Sequence, residues 1–472
     1  MKKVKQTTLI LILLLSPALF AKITNTSTAV VKVFSTLALP NYEYPWQTSQ
    51  ISKFTGSAAV ISNHRLLTSA HVVSSARFIE VKKENDPKIY IATVKYISHQ
   101  ADLAILEIED KSFFNNVVPL KLNDKIKTSD EVTVLGYPLG GDNIATTTGV
   151  ISRIEYRWYA WSGENLLAIQ IDAAINSGNS GGPVVDHNNE LVGIAMMTLS
   201  NSSNIGYIVP TTVINTFLKD IEDGTVDGFH IGSSDLQAIT NDSQKELYGL
   251  NGRTGALITY VGIDEKILKV DDIILEIDDK DISNNGTIKT QYGHINFKMA
   301  LHQKQIGQSV KLNILRDRKE LVVKYTLKKV TPLIYEEFGK EPRYIIYGGF
   351  SFTPLTKNYL SKIDKRTNFF QMLFYGKNKT EDYQEAVVSL RTVFPSKANR
   401  GYSIASYVLI KVNGIKIKNF QQLVNILDNM KDKFTVFEFL EKTKVVMNTK
   451  EAKNNLGRVM EIYNLESDRR VE

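Results

Sequence analysis

The chain has 472 residues, which is too many for one ordinary hydrophobic core, so we expect two to four domains. Hydrophobic residues make up 43% and charged residues 23% of the chain, the balance of a folded soluble protein. The net charge of +7 includes Lys2, Lys3 and Lys5 and is too small to indicate a nucleic-acid partner. The absence of cysteine excludes disulfides, a thiol nucleophile and cysteine-ligated metal, and we predict no metal or cofactor.

The first 21 residues have the order of a secretory signal peptide. The three lysines precede an apolar run at residues 9–15, and small residues follow up to Ala21. We predict cleavage after Ala21 and export, to the periplasm or another compartment of a bacterial envelope. The apolar run is short for a membrane span, so no stable span is expected after cleavage; an uncleaved anchor is the alternative.

Residues 22–225 are predicted to form one β-rich domain. Short apolar and β-branched runs alternate with turn residues, and no regular alternation with long helices is present, which favours a barrel or sandwich. The predicted strands are residues 29–34, 57–62, 78–82, 89–97, 103–108, 131–135, 166–171 and 191–197. Pro210 then opens a predicted helix at residues 211–221, and residues 223–225 are a predicted linker.

An internal repeat follows this domain. Residues 273–282 align with residues 408–417, and each copy contains an apolar strand, a polar turn and a second short strand. A helix-like segment and a further strand pair follow both copies. The predicted boundaries are therefore a first α+β domain at residues 226–330, a second at 331–450 and a charged tail at 451–472.

The sequence around Ser180 has the composition of a catalytic turn. Gly178-Asn179-Ser180-Gly181-Gly182-Pro183 places a hydroxyl among glycines, whose backbone N–H groups can approach a developing negative charge. A purely structural turn, or the G-x-S-x-G elbow of α/β-hydrolases, is the alternative on this evidence alone.

Two residues upstream complete a possible triad. His71 lies in a run of small residues at the end of a strand, and Asp102 stands directly before an apolar strand. Asp102 taken alone also fits a turn residue at a strand start. The order His, Asp, Ser is that of chymotrypsin, and a strand rather than a helix is predicted after Ser180, so the α/β-hydrolase elbow does not fit.

Together these residues resemble the trypsin-like HtrA/Deg proteases. The resemblance rests on residues 68–73, 102–106, 136–140, 172–183 and 205–210, and covers nearly all of residues 50–220. The two repeated domains resemble the PDZ modules of that family. Residues 251–257, 269–274 and 348–356 are similar to the plant-organelle branch of Deg proteases. The implied fold is mostly β: a chymotrypsin-like double β-barrel followed by two α+β PDZ-like domains.

The resemblance implies roles for the motif residues. Ser180 would be the nucleophile, His71 its base and Asp102 the residue that orients the imidazole. The backbone N–H groups of Gly178, Asn179 and Ser180 would form the oxyanion hole. Asn179 stands where trypsin-like zymogens carry an aspartate, so activation by propeptide cleavage is not expected. The family instead switches by ordering loops around the site.

Specificity is expected to follow from an uncharged pocket. Ala174 lies six residues before Ser180, where a buried charge would select basic side chains. With Ile175 and Ile205 expected nearby, we predict a small-to-medium apolar S1 pocket; the alternative is that both isoleucines are simply core residues.

The resemblance also implies partners. Gly255, Ala256, Leu257 and Ile258 would be the peptide-binding strand and loop of the first PDZ-like domain, which would take peptide C-termini. The second domain has no comparably clear binding loop, so assembly and peptide binding are both open for it. Aromatic residues at 39–46 lie where the family builds trimers, so a trimer or hexamer is expected, with an ordinary surface loop as the alternative.

The leading hypothesis is an exported serine endoprotease that degrades misfolded or damaged envelope proteins. No P-loop motif is present, so no ATP-driven motor is indicated. The alternatives are a chaperone or peptide-binding scaffold with little proteolysis, and a regulatory protease with one dedicated target.

Overall fold

A computed structural model describes residues 26–47, 50–198, 205–232, 234–262, 265–363, 373–374, 377–404 and 406–472. The predicted signal peptide lies outside these residues. Two compact units are present: residues up to 37 with 52–261 and 266–329, and residues 38–51 with 262–265 and 330–472. Within the described ranges, no helix is both long and apolar enough to cross a membrane.

Six strands close the first barrel. They are β1 (Val30–Leu39), β2 (Gln50–Ile61), β3 (Arg65–Thr68), β4 (Ala76–Lys83), β5 (Ile89–Ser98) and β6 (Leu103–Ile108), and α1 (Ala70–Val73) follows β3. The strand order around the barrel is β1-β2-β3-β6-β5-β4. β6 is almost wholly buried because it pairs with both β3 and β5 inside the closed sheet. The turn between β5 and β6 therefore stands directly above the core.

Six more strands close the second barrel. They are β7 (Glu131–Gly136), β8 (Ala145–Trp158), β9 (Asn165–Ile171), β10 (Pro183–Asp186), β11 (Leu191–Thr198) and β12 (Gly206–Pro210), followed by α2 (Thr211–Asp220). The order is β10-β11-β12-β9-β8-β7. One hydrophobic core runs through both barrels and includes the fully buried Val60 and Ile194. The predicted double barrel is confirmed.

The first PDZ-like domain lies in the same compact unit as the barrels. Its elements are β13 (Ser234–Ala238), α3 (Asp242–Tyr248), β14 (Ala256–Val261), β15 (Ile273–Ile277), β16 (Lys280–Asp281), β17 (Thr287–Thr290), β18 (Gly293–Asn296), α4 (Lys298–His302), β19 (Ser309–Arg316) and β20 (Lys319–Thr326). The main sheet has the order β13-β14-β15-β19-β20, with β16 paired to β15. β13 and β20 are its edge strands.

The second unit contains the other copy of the repeat. Its elements are β21 (Tyr344–Tyr347), β22 (Phe350–Pro354), α5 (Lys357–Leu360), β23 (Val387–Val393), β24 (Val408–Val412), β25 (Ile415–Lys416), α6 (Phe420–Asp428), β26 (Phe434–Phe439), β27 (Lys444–Asn448), α7 (Thr449–Asn454), α8 (Leu456–Ile462) and β28 (Arg469–Arg470). The sheet order is β27-β26-β24-β23-β22-β21-β28. The repeat is confirmed, since β15-β16, α4 and β19-β20 correspond to β24-β25, α6 and β26-β27.

The C-terminal segment differs from the tail expected at residues 451–472. Helices α7 and α8 cover most of it, and β28 pairs with β21 through Arg470 opposite Tyr344. Val459 of α8 is 3% exposed. The segment therefore completes the sheet of the second unit. Its many charges concealed this role in the sequence, because few apolar residues mark the buried side.

The aromatic segment before β2 packs inside the second unit. The Trp46 ring lies 4.9 Å from that of Phe394 and 6.0 Å from that of Tyr344. Tyr42 is 7% exposed and its hydroxyl donates to the carbonyl of Lys340 at 3.0 Å. These aromatics, expected at a trimer interface, are thus core residues of their own chain; the oligomeric state itself remains a prediction.

Candidate active site

His71 and Asp102 form a doubly hydrogen-bonded pair. Asp102 Oδ2 lies 2.7 Å from His71 Nδ1, and Asp102 Oδ1 accepts from the His71 backbone N–H at 2.9 Å. The Asp102 side chain is fully buried, while that of His71 is 18% exposed. Because Nδ1 is engaged by the carboxylate, Nε2 is the ring nitrogen left to exchange a proton.

Local backbone structure explains how the pair meets. His71 lies on α1, a single turn that follows β3 directly. Asp102 ends the turn between β5 and β6 with a positive φ of +53°, a conformation that aspartate tolerates better than most residues. β3 and β6 are neighbours in the barrel, with Thr68 opposite Ala104. His71 therefore follows the end of β3, and Asp102 directly precedes the start of its neighbour β6.

The surroundings of His71 favour its charged form. Burial alone lowers the pKa of the imidazole, but the charge of Asp102 and its hydrogen bond together outweigh burial, so the pKa is raised above 6.5. An imidazole whose positive charge is stabilised in this way is a stronger base. The pair can thus accept a proton and hold the resulting imidazolium.

Ser180 comes to the same place from the second barrel. It lies in the loop between β9 and β10, and its carbonyl accepts from the backbone N–H of Ser57 in β2 at 2.9 Å. Gly56 separates the two segments: a Cβ there would lie 2.6 Å from Val72 of α1 and 3.2 Å from the Ser180 carbonyl oxygen. The helix of His71 and the loop of Ser180 therefore converge on this glycine. No hydrogen bond between the Ser180 hydroxyl and His71 is present among the described residues.

Gly178 has a conformation and a packing that require glycine. Its φ is +98°. A Cβ would lie 2.7 Å from the Leu139 backbone nitrogen and closer still to the Tyr137 carbonyl oxygen. The Ser57 hydroxyl donates to the Gly178 carbonyl at 2.8 Å and accepts from the Tyr137 N–H at 2.8 Å. This hydroxyl ties the loop of Ser180 to the turn after β7.

Asn179 does not serve as a third oxyanion donor in this conformation. Its backbone N–H donates to the Asn176 carbonyl at 2.9 Å and is therefore not available to a substrate. Its side chain is buried, 1% exposed, and its Oδ1 has no hydrogen-bond partner among the described residues. The prediction for Asn179 is thus corrected, and Gly178 and Ser180 remain as candidate donors.

The three residues expected at the S1 pocket lie close together. Ile175 is 5% exposed, and a Cβ at Gly206 would lie 2.7 Å from its Cδ1. Ile205, the chain neighbour of Gly206, is half-buried against the same core. The half-buried Ala174 is held by its carbonyl, which accepts from the Thr147 hydroxyl at 2.9 Å. These residues are apolar, and Ile175 is part of the hydrophobic core; the S1 pocket itself stays a prediction.

The prediction of a peptide-binding strand at Gly255, Ala256, Leu257 and Ile258 is wrong. β14 lies inside its sheet, and Leu257 pairs with Gln237 on one side and with Ile273 on the other. Ala256 and Ile258 are also buried. A bound peptide needs a strand edge with free hydrogen-bonding groups. The sequence signal, a glycine before an apolar strand, does not distinguish an edge strand from a central one.

Two residues near the triad were not predicted from the sequence. The Trp161 ring, on the turn between β8 and β9, lies 6.0 Å from that of His71 and 6.2 Å from that of His99. Burial lowers the pKa of His99 to about 4, so its ring is neutral at pH 7. Ser57 is the second residue. The small-residue run around Ser57 was a usable signal, whereas nothing in the sequence places Trp161 near His71.

The first PDZ-like domain contacts the turn that carries Asp102. The Gln100 side chain accepts from the Phe229 N–H at 2.8 Å and donates to the Phe229 carbonyl at 3.4 Å. Phe229 is buried, and the adjacent His302 ring lies 5.7 Å from that of Tyr156 in β8. A cavity of about 100 Å³ lies between these groups. The domain is therefore packed against both barrels close to the candidate triad.

Comparisons with known proteins agree with this geometry. Residues 56–194 match the trypsin-like peptidase domain and residues 334–471 match the PDZ domain. Protease Do-like 2, chloroplastic, of Arabidopsis thaliana is 35% identical over 455 residues, covering 94% of this chain and 75% of that protein. Protease Do-like 4, mitochondrial, of the same organism is 35% identical over 447 residues, covering 93% and 84%.

Solved structures point to the same group. The HtrA-type protease AlgW with a tripeptide is 26% identical, with a TM-score of 0.52 over 66% of this chain and 96% of that one. From the domain matches, the relatives and the double barrel together, we conclude that the chain is a serine endopeptidase of the HtrA/Deg family, similar to the plant-organelle Deg branch.

Proposed function

We propose that this endopeptidase degrades unfolded or damaged proteins without ATP, with Ser180, His71 and Asp102 as its catalytic triad. The observation that carries the proposal is the buried Asp102 carboxylate, both of whose oxygens bind His71, beside the glycine-rich loop of Ser180. A binding scaffold has no chemical need for a buried carboxylate that holds one imidazole tautomer. The same arrangement is what a serine nucleophile requires.

The chemistry follows from the atoms available. Ser180 Oγ attacks the scissile carbonyl carbon while His71 Nε2 takes the hydroxyl proton. The tetrahedral intermediate collapses to an ester on Ser180, and the imidazolium gives the proton to the leaving amine. A water molecule, deprotonated by the same nitrogen, then hydrolyses the ester. Asp102 holds the tautomer throughout and stabilises the charged ring.

The oxyanion is bound by the backbone N–H groups of Gly178 and Ser180. The positive φ of Gly178 turns the peptide at this point, and the Ser57 hydroxyl holds the Gly178 carbonyl on the opposite side. Donors that are oriented before the reaction lose no free energy to reorganisation when the charge develops.

The substrate class is proposed from the S1 wall. Ala174, Ile175 and Ile205 offer no charge to a P1 side chain, and the acidic residue nearest in sequence, Asp172, accepts from the Val150 N–H at 2.6 Å. We therefore expect cleavage after Ala, Val, Leu or Ile. Sequencing of the fragments from a digested unfolded protein measures this preference. In Ala174→Asp, cleavage after Lys and Arg should rise; a strong basic preference in the unaltered protein would contradict the pocket assignment.

Peptide capture is proposed for an edge strand. β13 pairs with β14 on one side and lies at the edge of its sheet, and Lys298 of α4 donates to the Ser234 carbonyl at 3.3 Å. A peptide C-terminus added along β13 would bring a carboxylate near this lysine. The solved structure of the HtrA-type protease AlgW is a complex with a tripeptide, which supports peptide binding in general. A trimer or hexamer remains part of the proposal.

The place of action is proposed as an exported or organellar compartment. The order of charged, apolar and small residues at the N-terminus supports a cleaved targeting segment. The relatives named above are chloroplastic and mitochondrial, which supports targeting in general. Misfolded proteins of that compartment are the proposed substrates, with a single regulatory target as the narrower alternative.

Digestion of a reduced, unfolded protein tests the proposal. The chain without residues 1–21 should cleave such a substrate without added nucleotide, and Ser180→Ala should abolish cleavage while leaving the thermal unfolding temperature unchanged. If neither protein cleaves but both suppress aggregation of the substrate, the chaperone alternative replaces the protease.

A further inference from the structure

Lys32 is a buried lysine in β1 of the first barrel, and it points to a loop of the second. Lys32 as a whole is 7% exposed. Its Nζ donates to the Gly141 carbonyl at 2.6 Å and to Asp142 Oδ1 at 2.8 Å. The Asp142 side chain is 84% exposed. A lysine is rarely buried to this extent unless its charge is paired, so the contact holds the loop after β7 against the first barrel.

Two aromatic rings complete the surroundings of the lysine. Its Nζ lies 5.0 Å from the centre of the Phe34 ring and 6.0 Å from that of Tyr137. Tyr137 is 1% exposed and belongs to the same loop. The cation is therefore held by a carbonyl, a carboxylate and two ring faces, and one of those rings is part of the loop that the lysine binds.

The loop that Lys32 holds supports Gly178. The turn is closed by the Gly141 N–H, which donates to the Pro138 carbonyl at 3.0 Å. At its tip the Leu139 N–H donates to the Ser177 carbonyl at 2.8 Å, and the Tyr137 carbonyl packs against the Cα of Gly178. The Ser177 carbonyl and the Gly178 N–H belong to one peptide group, so the Leu139 N–H holds the same group whose N–H would face the oxyanion. A shift of the turn would change the direction of that N–H.

We propose that Lys32 is a positioning residue for the oxyanion hole: it anchors the 137–142 turn to the first barrel, and the turn in turn orients the Gly178 N–H. This inference rests on the proposed function of Ser180 and Gly178. Asn179, buried beside the end of β7, carries no charge, and Lys32 supplies a charged contact to the turn from the other barrel.

Loss of a positioning contact should lower kcat, whereas loss of a merely structural ion pair should lower only the stability of the fold. Removing one member of an ion pair destabilises strongly only when the charge left behind is buried, and the charge left by Lys32→Met, on Asp142, is 84% exposed. Lys32→Met should therefore leave the unfolding temperature close to that of the unaltered protein. Because an oxyanion donor acts mainly in the transition state, kcat should fall by about tenfold or more while KM stays within about twofold.

The chain offers a matched control in the same barrel. Lys83 in β4 is also mostly buried: its Nζ donates to the Phe113 carbonyl at 2.9 Å, pairs with Asp86 at 3.5 Å and lies 5.3 Å from the Phe113 ring. None of these groups belongs to the 137–142 turn. Lys83→Met removes the same kind of cation and should leave kcat unchanged.

The test compares kcat, KM and unfolding temperature for Lys32→Met, Lys32→Arg, Asp142→Lys and Lys83→Met on one peptide substrate. Lys32→Arg keeps the charge and should restore most of the kcat lost in Lys32→Met. Asp142→Lys changes an exposed residue, so folding is retained even if Lys32→Met does not fold; repulsion of the turn should lower kcat about threefold or more, with a smaller loss at high salt.

Each outcome separates the inference from the proposed function. An unaltered protein that cleaves nothing contradicts the assignment of Ser180. An active protein whose Lys32→Met and Asp142→Lys variants keep full kcat contradicts the role of Lys32 alone. Equal losses of kcat in Lys32→Met and Lys83→Met, together with equal falls in unfolding temperature, would show that Lys32 only stabilises the barrel.

Discussion

Substitution of Gly178 by alanine tests whether the position of the Gly178 N–H matters for catalysis. The φ of Gly178 is +98°, which an alanine adopts only at a cost of about 1–2 kcal/mol. The new Cβ would also stand 2.7 Å from the Leu139 backbone nitrogen and 2.9 Å from the Pro138 carbonyl carbon. These are backbone atoms of a tight turn, which cannot move aside as a flexible side chain would. The alanine variant must therefore shift the Gly178 peptide or the turn.

The magnitude follows from the loss of one donor. Removing a single oxyanion-hole hydrogen bond lowers kcat by about 10²–10³-fold, or about 3–4 kcal/mol of transition-state stabilisation. Ground-state binding does not use this N–H, so KM should change little. We expect Gly178→Ala to lower kcat by about 10²-fold and to lose about 1–2 kcal/mol of folding stability from the strained φ, with a further loss from the clash with the turn.

Steady-state kinetics on one peptide substrate measures the change in kcat, and a denaturant titration measures the loss of folding stability. The matched control is Gly224→Ala, at a glycine with φ +90°. Apart from its own residue and its two chain neighbours, no described heavy atom lies within 4 Å of the new methyl position, so this variant introduces the strain without the clash. It should lose only about 1–2 kcal/mol from the strained φ, less than Gly178→Ala, and should keep its kcat. A Gly178→Ala variant with full kcat would refute the assignment of this N–H, as would an equal loss of kcat in Gly224→Ala.

Three further predictions address the base, the buried amide and the aromatic segment. Asp102→Asn removes the charge that raises the pKa of His71 against the effect of burial. The acidic limb of the kcat/KM profile, where activity rises with pH, should therefore move to lower pH, and an unmoved limb would contradict this cause. Asn179→Asp puts a carboxyl group at a site that is 1% exposed, and burial raises its pKa above the value in the unfolded chain. Because the folded state then binds the extra proton, the stability of the variant relative to the unaltered protein should fall in thermal unfolding as the pH rises from about 5 to about 8. A difference in stability that does not depend on pH would show that the carboxylate finds a partner. Trp46→Ala removes the ring between Phe394 and Tyr344 and should lower the free energy of unfolding of the second unit by about 2–3 kcal/mol. Alanine at Phe434, an exposed aromatic residue of the same unit, should change it by less than about 0.5 kcal/mol; equal effects would show that Trp46 is not a core residue.

The sequence was most informative where local motif and topology coincide. Asp102 stands directly before a strand, and His71 and Ser180 lie within three residues of one, in runs of small or apolar residues that are visible without the fold. Their order along the chain was sufficient to choose the double barrel over the α/β-hydrolase fold. The distances between them were not predictable, since the pair of β3 and β6 that joins His71 to Asp102 depends on barrel closure.

Long-range pairing explains what the sequence did not reveal. β8 has fourteen residues and was missed because most of them are exposed or half-buried and polar, so the strand has no strong apolar alternation. β14 was predicted to bind peptides because its composition is that of any apolar strand; only pairing with β13 and β15 shows that it is central. Trp161 reaches His71 through the turn between β8 and β9, and no local pattern encodes that contact.

Labelling of the native protein with a serine-reactive fluorophosphonate, followed by mass spectrometry of its peptides, tests the central claim most directly. The account predicts one modified residue, Ser180, and loss of the modification when the protein is unfolded first or when His71 is replaced by glutamine. It also predicts that labelled protein no longer digests an unfolded substrate. Modification of a different serine, or full digestion after complete labelling of Ser180, would contradict the account.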